Sequence, residues 1–197
     1  MIYRPPSERS DMAEILRRTI GFDLPSDSLL FLSVLSFHIL FGIVCVVLGI
    51  VAMLSEKRRG KHPKFGTAYY WCLALLFASA TVLAVMRWSE DYHLFILGAL
   101  SFLAASVGRI ARRQLWRRWV DFHVTGMGLS YILMLTAFYV DNGKNLPVWR
   151  DLPYLAYWVL PTAVGIPLII NALIRWHRRL YERFPWQSPK PALTSRL

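Results

Sequence analysis

The chain has little of what soluble catalysis or a disulfide-stabilised fold requires. Its 197 residues include two cysteines, Cys45 and Cys72, which lack CxxC spacing. We therefore expect neither a disulfide scaffold nor a thiolate metal site, and we interpret both cysteines as packing residues. The sequence contains no Walker loop, GxSxG elbow or HExxH motif, and no repeat of about 20–50 residues. It gives no basis for the common soluble enzyme classes or for a solenoid.

Charge is also scarce over long stretches. Charged residues make up 18% of the chain and hydrophobic residues 55%, and the mean hydropathy is +0.38. Five apolar segments come close to or exceed the roughly 20 residues that a helix needs to cross hydrocarbon. They cover residues 29–54, 65–86, 92–108, 122–140 and 153–174. The sequence therefore predicts an all-α fold, an integral membrane bundle of five transmembrane helices.

The basic residues fall in alternate gaps between these segments. The first gap has five basic residues against Glu56, and the third has five arginines before Asp121. The second and fourth gaps are acidic or balanced, and the tail is again basic. Because cytoplasmic loops collect Lys and Arg, we expect the C-terminus in the cytoplasm, and five spans then place the N-terminus outside. The predicted location is the inner cell membrane.

The same pattern divides the chain into three parts. Residues 1–28 are predicted to be an extracytoplasmic segment, either a short surface helix or a loosely ordered tail. Residues 29–176 are the predicted transmembrane domain, and residues 177–197 a basic cytoplasmic tail. The N-terminal segment contains Pro5, Pro6 and five acidic residues, so we expect no cleavable signal peptide.

The formal net charge of +11 indicates a class of partner. The charge is divided among short loops and is not gathered in one free-standing domain or arm, so we expect no nucleic-acid binding. Basic residues near a membrane surface attract anionic headgroups, each contributing about 1 kcal/mol. The predicted partner is the lipid bilayer, with anionic lipids at the cytoplasmic face.

Histidines are the candidate chemical groups. His38 lies deep in an otherwise uncharged segment, where a polar ring is costly and often functional; the alternative is a hydrogen bond to a neighbouring helix. His38 precedes Glu56 by 18 residues and His93 precedes Arg109 by 16. At 1.5 Å per residue, both lie roughly 24–27 Å above the inner boundary. We therefore expect His38 and His93 to form an outer pair that binds a metal ion, the iron of a haem.

A second candidate pair lies on the inner side. His62 opens the second segment and His123 the fourth, although their distances to the next charged residue differ, 25 and 18 residues. Two imidazoles that face each other across a helix bundle can ligate a b-type haem. The predicted cofactor-binding residues are thus His38 and His93, followed by His62 and His123, with haem b as the cofactor.

Small residues stand where a helix or a cofactor could approach closely. Gly42, Gly66 and Gly126 each follow a candidate histidine by three or four residues and so share its helix face. They leave room either for a flat macrocycle or for a neighbouring helix. Ala104 and Gly108 form a small-xxx-small pair in the third segment, which predicts close packing of helices.

Three stretches resemble a known family. His38, the run HPKFGTAYY at 62–70 and the run FHVTGMGLSY at 122–131 are similar to an uncharacterised family of bacterial membrane proteins, the domain of unknown function 2306. Members of that family have an Arg after the second His, where this chain has Pro63 and Lys64. The later motif reads His-Val-Thr-Gly-Met here, in place of the more frequent His-Arg-x-Met.

The resemblance covers about residues 30–140 and implies a shared helical bundle with family-typical His38, His62 and His123. It implies no reaction, because the role of the family is unassigned. The alternating histidines also resemble those of b-561-type cytochromes, whose four core helices ligate one haem on each side. That second likeness rests on spacing, and likeness of fold does not fix function.

Three functions from different classes fit these features. The first is transmembrane electron transfer through b-type haem, which as an enzyme would be a membrane oxidoreductase. The second is an assembly protein whose basic face binds lipid or a partner. The third is a small transporter in which His38 faces a water-filled path, although the spans hold no other intramembrane acid or base to accompany it.

The charge pattern makes a direct prediction about orientation. A cytoplasmic reporter fused after Arg183 should be active and a periplasmic reporter at the same position inactive, because the basic gaps face the cytoplasm. Activity of the periplasmic reporter would contradict both the orientation and the odd number of spans.

Overall fold

The computed structural model describes residues 29–56, 60–147 and 149–183. They form five long helices in chain order. These are α1 (Leu29–Leu54), α2 (Lys61–Met86), α3 (Trp88–Arg113), α4 (Trp119–Asn142) and α5 (Tyr154–Arg183), with a 3-10 turn at Gly143–Asn145. The predicted N-terminal segment and residues 184–197 of the predicted tail lie outside the described residues.

Each of the five helices is long and apolar enough to cross a membrane, which confirms the predicted all-α fold and the number of candidate spans. Helix α1 has the predicted bounds, and α2 to α4 extend a few residues beyond their apolar segments. Helix α5 continues to Arg183, so the first residues of the predicted basic tail are still helical. Each added helical residue satisfies one more backbone hydrogen bond, which favours such extensions.

Consecutive helices pack against each other along the chain, and α5 lies on α4. The connections are short, as in an up-down bundle, so neighbouring helices are antiparallel. Tyr131 on α4 donates a hydrogen bond from Oη to the carbonyl oxygen of Val46 on α1 at 3.2 Å, which closes α1 to α4 into a four-helix bundle. We call the end that holds the α1–α2 and α3–α4 connections and the C-terminus of α5 the basic end, and the other the opposite end.

The middle of the bundle is apolar, and its buried polar groups are paired. Tyr69 is 2% exposed, and its Oη lies 3.0 Å from Oγ of Ser130 on α4. Ser101 on α3 donates to the carbonyl oxygen of Ser130 at 2.7 Å. Such pairing between helices is what an apolar environment requires, because an unsatisfied polar group there costs several kcal/mol.

Helices α3 and α4 approach most closely at two glycines. A Cβ added to Gly126 would lie 2.6 Å from the carbonyl oxygen of Ala104 and 2.9 Å from the nitrogen of Gly108. The close packing predicted from Ala104 and Gly108 is therefore confirmed, and the room beside Gly126 is filled by a neighbouring helix.

Gly126→Ala should weaken this α3–α4 contact, because the added methyl group pushes two backbones apart. Overpacking of this kind costs about 1–3 kcal/mol, so we expect a lower Tm in detergent. The matched control is Gly42→Ala, whose Cβ would meet Cδ1 of Leu76 at an ordinary 3.8 Å. Thermal unfolding followed by circular dichroism measures both variants, and equal Tm values would contradict the close contact.

Candidate functional site

Two histidines meet at the basic end of the bundle. The rings of His62 on α2 and His123 on α4 have centroids 6.2 Å apart and planes at 87°. The ring of Trp119 lies beside His123, with centroids 6.4 Å apart. The inner candidate pair is thus in contact across the bundle, from helices that are not neighbours in the chain.

Each of these rings is fixed at Nδ1 by a backbone carbonyl of an adjacent helix. Nδ1 of His62 lies 2.8 Å from the oxygen of Ala52 in the last turn of α1, and Nδ1 of His123 lies 3.1 Å from the oxygen of Gly108 on α3. A carbonyl oxygen only accepts, so Nδ1 is the donor in both rings. In a neutral imidazole the lone pair is then on Nε2.

Counting residues along the sequence wrongly suggested that His62 and His123 lie at different depths in the bundle. Counted to the far end of each segment, their levels differed by seven residues. The structure places His62 as the second residue of α2 and His123 as the fifth of α4, and both helices begin at the basic end. The depth of each residue is better counted from the nearer end of its helix. A count to the far end also includes the difference in length between the two helices.

At the opposite end, His38 is paired with a serine of the neighbouring helix. Its Nδ1 lies 2.9 Å from Oγ of Ser79 on α2, and this hydroxyl donates in turn to the carbonyl oxygen of Leu76. Nδ1 of His38 therefore donates to Ser79. The geometry matches the alternative in which His38 bonds a neighbouring helix.

His93 on α3 faces aromatic rings. Its ring centroid lies 5.6 Å from that of Tyr92 and 6.3 Å from that of Trp158 on α5. Within the described residues, no ring contact or hydrogen bond joins His93 to His38. Equal depth is not sufficient for contact, because the helix rotations direct these two side chains to different neighbours.

The three glycines predicted to leave room differ in their surroundings. A Cβ added to Gly66 would meet nothing within 4 Å, so this face of α2 is open next to His62. Gly42 lies against Leu76, and Gly126 against α3. Gly66 therefore leaves open space beside a histidine. Gly42 and Gly126 instead allow a neighbouring helix to pack closely.

The two cysteines lie side by side, which the sequence analysis did not anticipate. Each thiol faces the other helix: Sγ of Cys72 on α2 donates to the carbonyl oxygen of Phe41 at 3.3 Å, and Sγ of Cys45 on α1 lies 3.9 Å from that of Tyr69. Both cysteines belong to the central apolar cluster. Cys45 and Cys72 stand nearly equally far from the α1–α2 connection, and equidistant positions of an antiparallel hairpin meet. This equal distance from the connection is the feature of the sequence that could have predicted their proximity.

His177, the first residue of the predicted basic tail, has a partner on α4. Its Nε2 lies 3.0 Å from Oδ1 of Asp121, whose Oδ2 accepts from Nε of Arg118 at 2.8 Å. This chain of polar contacts joins α5 to the start of α4. Among the described residues, no group of three or more His, Cys, Asp or Glu side chains could hold a metal ion.

Comparison with protein-family models, curated proteins and solved structures found no match to this chain. Both resemblances drawn from the sequence stay predictions.

The bond between His38 and Ser79 can be measured with a double-mutant cycle. His38→Leu and Ser79→Ala should show a coupling energy of about 0.6 kcal/mol, and at most about 2 kcal/mol, as found for hydrogen bonds between membrane helices. The control pairs His38→Leu with Ser36→Ala, because Ser36 bonds the carbonyl oxygen of Leu32 in its own helix. Equal coupling in both cycles, measured by unfolding in detergent, would contradict the bond.

Proposed function

We propose that this chain is a multi-pass membrane protein that binds one b-type haem between His62 and His123 and transfers electrons. The ring geometry at the basic end carries the proposal. Metal to imidazole-nitrogen bonds are about 2 Å long, so two imidazoles that hold one metal ion between them would have centroids roughly 6 Å apart. The observed 6.2 Å agrees with that spacing.

The hydrogen bonds at Nδ1 support the same role. A ligating histidine commonly donates its second ring N–H to a carbonyl or carboxylate, which fixes the tautomer and orients the ring. The carbonyls of Ala52 and Gly108 accept these bonds here. Nε2 of His62 and of His123 would then be the nitrogen atoms that hold the iron.

The space next to His62 and His123 leaves room for a flat group on the α2 side. Gly66 follows His62 by one helical turn and has an open face. Gly126 offers no clearance on α4, since the backbone of α3 fills that position. A macrocycle therefore has its clearance on the α2 side of the two rings.

When bound, a haem would supply one-electron redox chemistry. The residues of this chain would hold the iron through His62 and His123, keep both rings oriented through Ala52 and Gly108, and exclude water with the surrounding apolar side chains. If the chain is an enzyme, the class is a membrane oxidoreductase. With the basic end in the cytoplasm of an inner-membrane protein, the redox group would be closest to cytoplasmic electron donors.

The outer pair has less support as a haem site. His38 is bonded to Ser79 and His93 packs on Trp158, so a second haem there would require both side chains to change partners. The hydrogen-bonding role of His38 is the simpler interpretation.

Purified protein from haem-replete cells tests the assignment. Its reduced-minus-oxidised visible spectrum should show a sharp b-type band, and either His62→Ala or His123→Ala should abolish it, because each removes an axial ligand. Three single alanine variants serve as matched controls that should keep the band. They are His38→Ala, His93→Ala and His177→Ala.

A colourless, folded and monodisperse protein would contradict haem binding altogether. Loss of the band in His38→Ala or His93→Ala, with retention in His62→Ala, would move the haem to the outer pair.

A further inference from the structure

A groove of about 600 Å³ runs between α4 and α5 at the basic end. Its α5 wall consists of residues three, four and seven positions apart, which lie on one face of that helix. They are Ile170, Leu173, Ile174, His177 and Arg178. The facing wall is formed by Thr125 and Asp121 of α4 and by Arg118 just before that helix. The groove is independent of the proposed haem site.

The walls change from apolar to basic along the helix axis. On α5, the isoleucines and Leu173 come first, and Arg178 follows one turn later towards the basic end. On the other wall, Thr125 lies deeper in the helix and Arg118 lies outermost. A membrane lipid has the same order, with acyl chains in the hydrocarbon and a charged headgroup at its surface.

The charges at the mouth favour an anion. Arg118 uses Nε to bond Asp121, and its two terminal nitrogens make no hydrogen bond to any residue that the structure describes. Its side chain is 71% exposed, whereas that of Asp121 is 19% exposed behind it. Asp121 is already paired with both Arg118 and His177. With Arg178 on the facing wall, the mouth of the groove holds two arginines and one carboxylate.

We propose that this groove binds one anionic phospholipid. An acyl chain lies along Ile170, Leu173 and Ile174, and the phosphate sits between Arg118 and Arg178. Guanidinium groups are well suited to this because their fork of N–H donors matches phosphate oxygens. Asp121 acts as a positioning residue that holds Arg118 against the groove.

Native mass spectrometry of the full chain in detergent tests the site. Titration with phosphatidylglycerol should give a saturable one-lipid complex, whereas phosphatidylcholine should bind at least about tenfold more weakly. The double variant Arg118→Gln/Arg178→Gln should lose about tenfold or more in phosphatidylglycerol affinity. Arg175→Gln/Arg179→Gln removes the same charge from the same end of α5 outside the groove, and it should bind within about twofold of the parent chain.

A second variant separates a lipid site from a simple anion site. Leu173→Trp fills the apolar part of the groove and should weaken phosphatidylglycerol binding while leaving both arginines in place. Several outcomes would overturn the proposal: equal losses in the two arginine variants, equal binding of the two lipids, or no lipid complex with the parent chain. It would also fail if Leu173→Trp had no effect, or if millimolar inorganic phosphate displaced the lipid, since both indicate a site for free anions.

Discussion

Imidazole and hydroxyl groups between apolar helices have no water to bond, so each must find its partner on a neighbouring helix. His38, His62 and His123 meet the requirement through Nδ1. His38 and His62 tie α1 to α2 near both ends of that hairpin, through Ser79 and the carbonyl of Ala52. His123 ties α4 to α3 through the carbonyl of Gly108. The contact between His62 and His123 then joins one hairpin to the other.

This arrangement explains why the two ends of the bundle differ. At the basic end, the close α3–α4 contact at Gly108 brings the start of α4 inward, and His123 reaches His62. At the opposite end, His38 faces α2 and His93 faces α5, so their rings turn away from a shared centre. One rigid pair of imidazoles supports the proposed haem, and the same end of the bundle carries the basic groove proposed for lipid.

The sequence predicts the elements well and their mutual rotation poorly. The long run without charge predicts the extent of α1, because a helix in hydrocarbon must be apolar over about 20 residues. The small pair at Ala104 and Gly108 correctly indicates close packing. Which helices face each other depends on rotation about each axis, and no count along the chain contains that information. The contact of His177 with Asp121 and the bond of His38 to Ser79 depend on this rotation and were not predictable. The proximity of Cys45 and Cys72 was predictable, because both lie nearly equally far from the α1–α2 connection.

The proposed haem would be held by two imidazoles, from α2 and α4, whose ring planes lie at 87°. Electron paramagnetic resonance of the oxidised protein reports this directly, because the spectrum of ferric haem depends on the identity and relative orientation of its axial ligands. We predict a low-spin signal of the strongly anisotropic kind given by perpendicular imidazole planes. A high-spin signal, or no haem signal from folded protein prepared with haem, would contradict it.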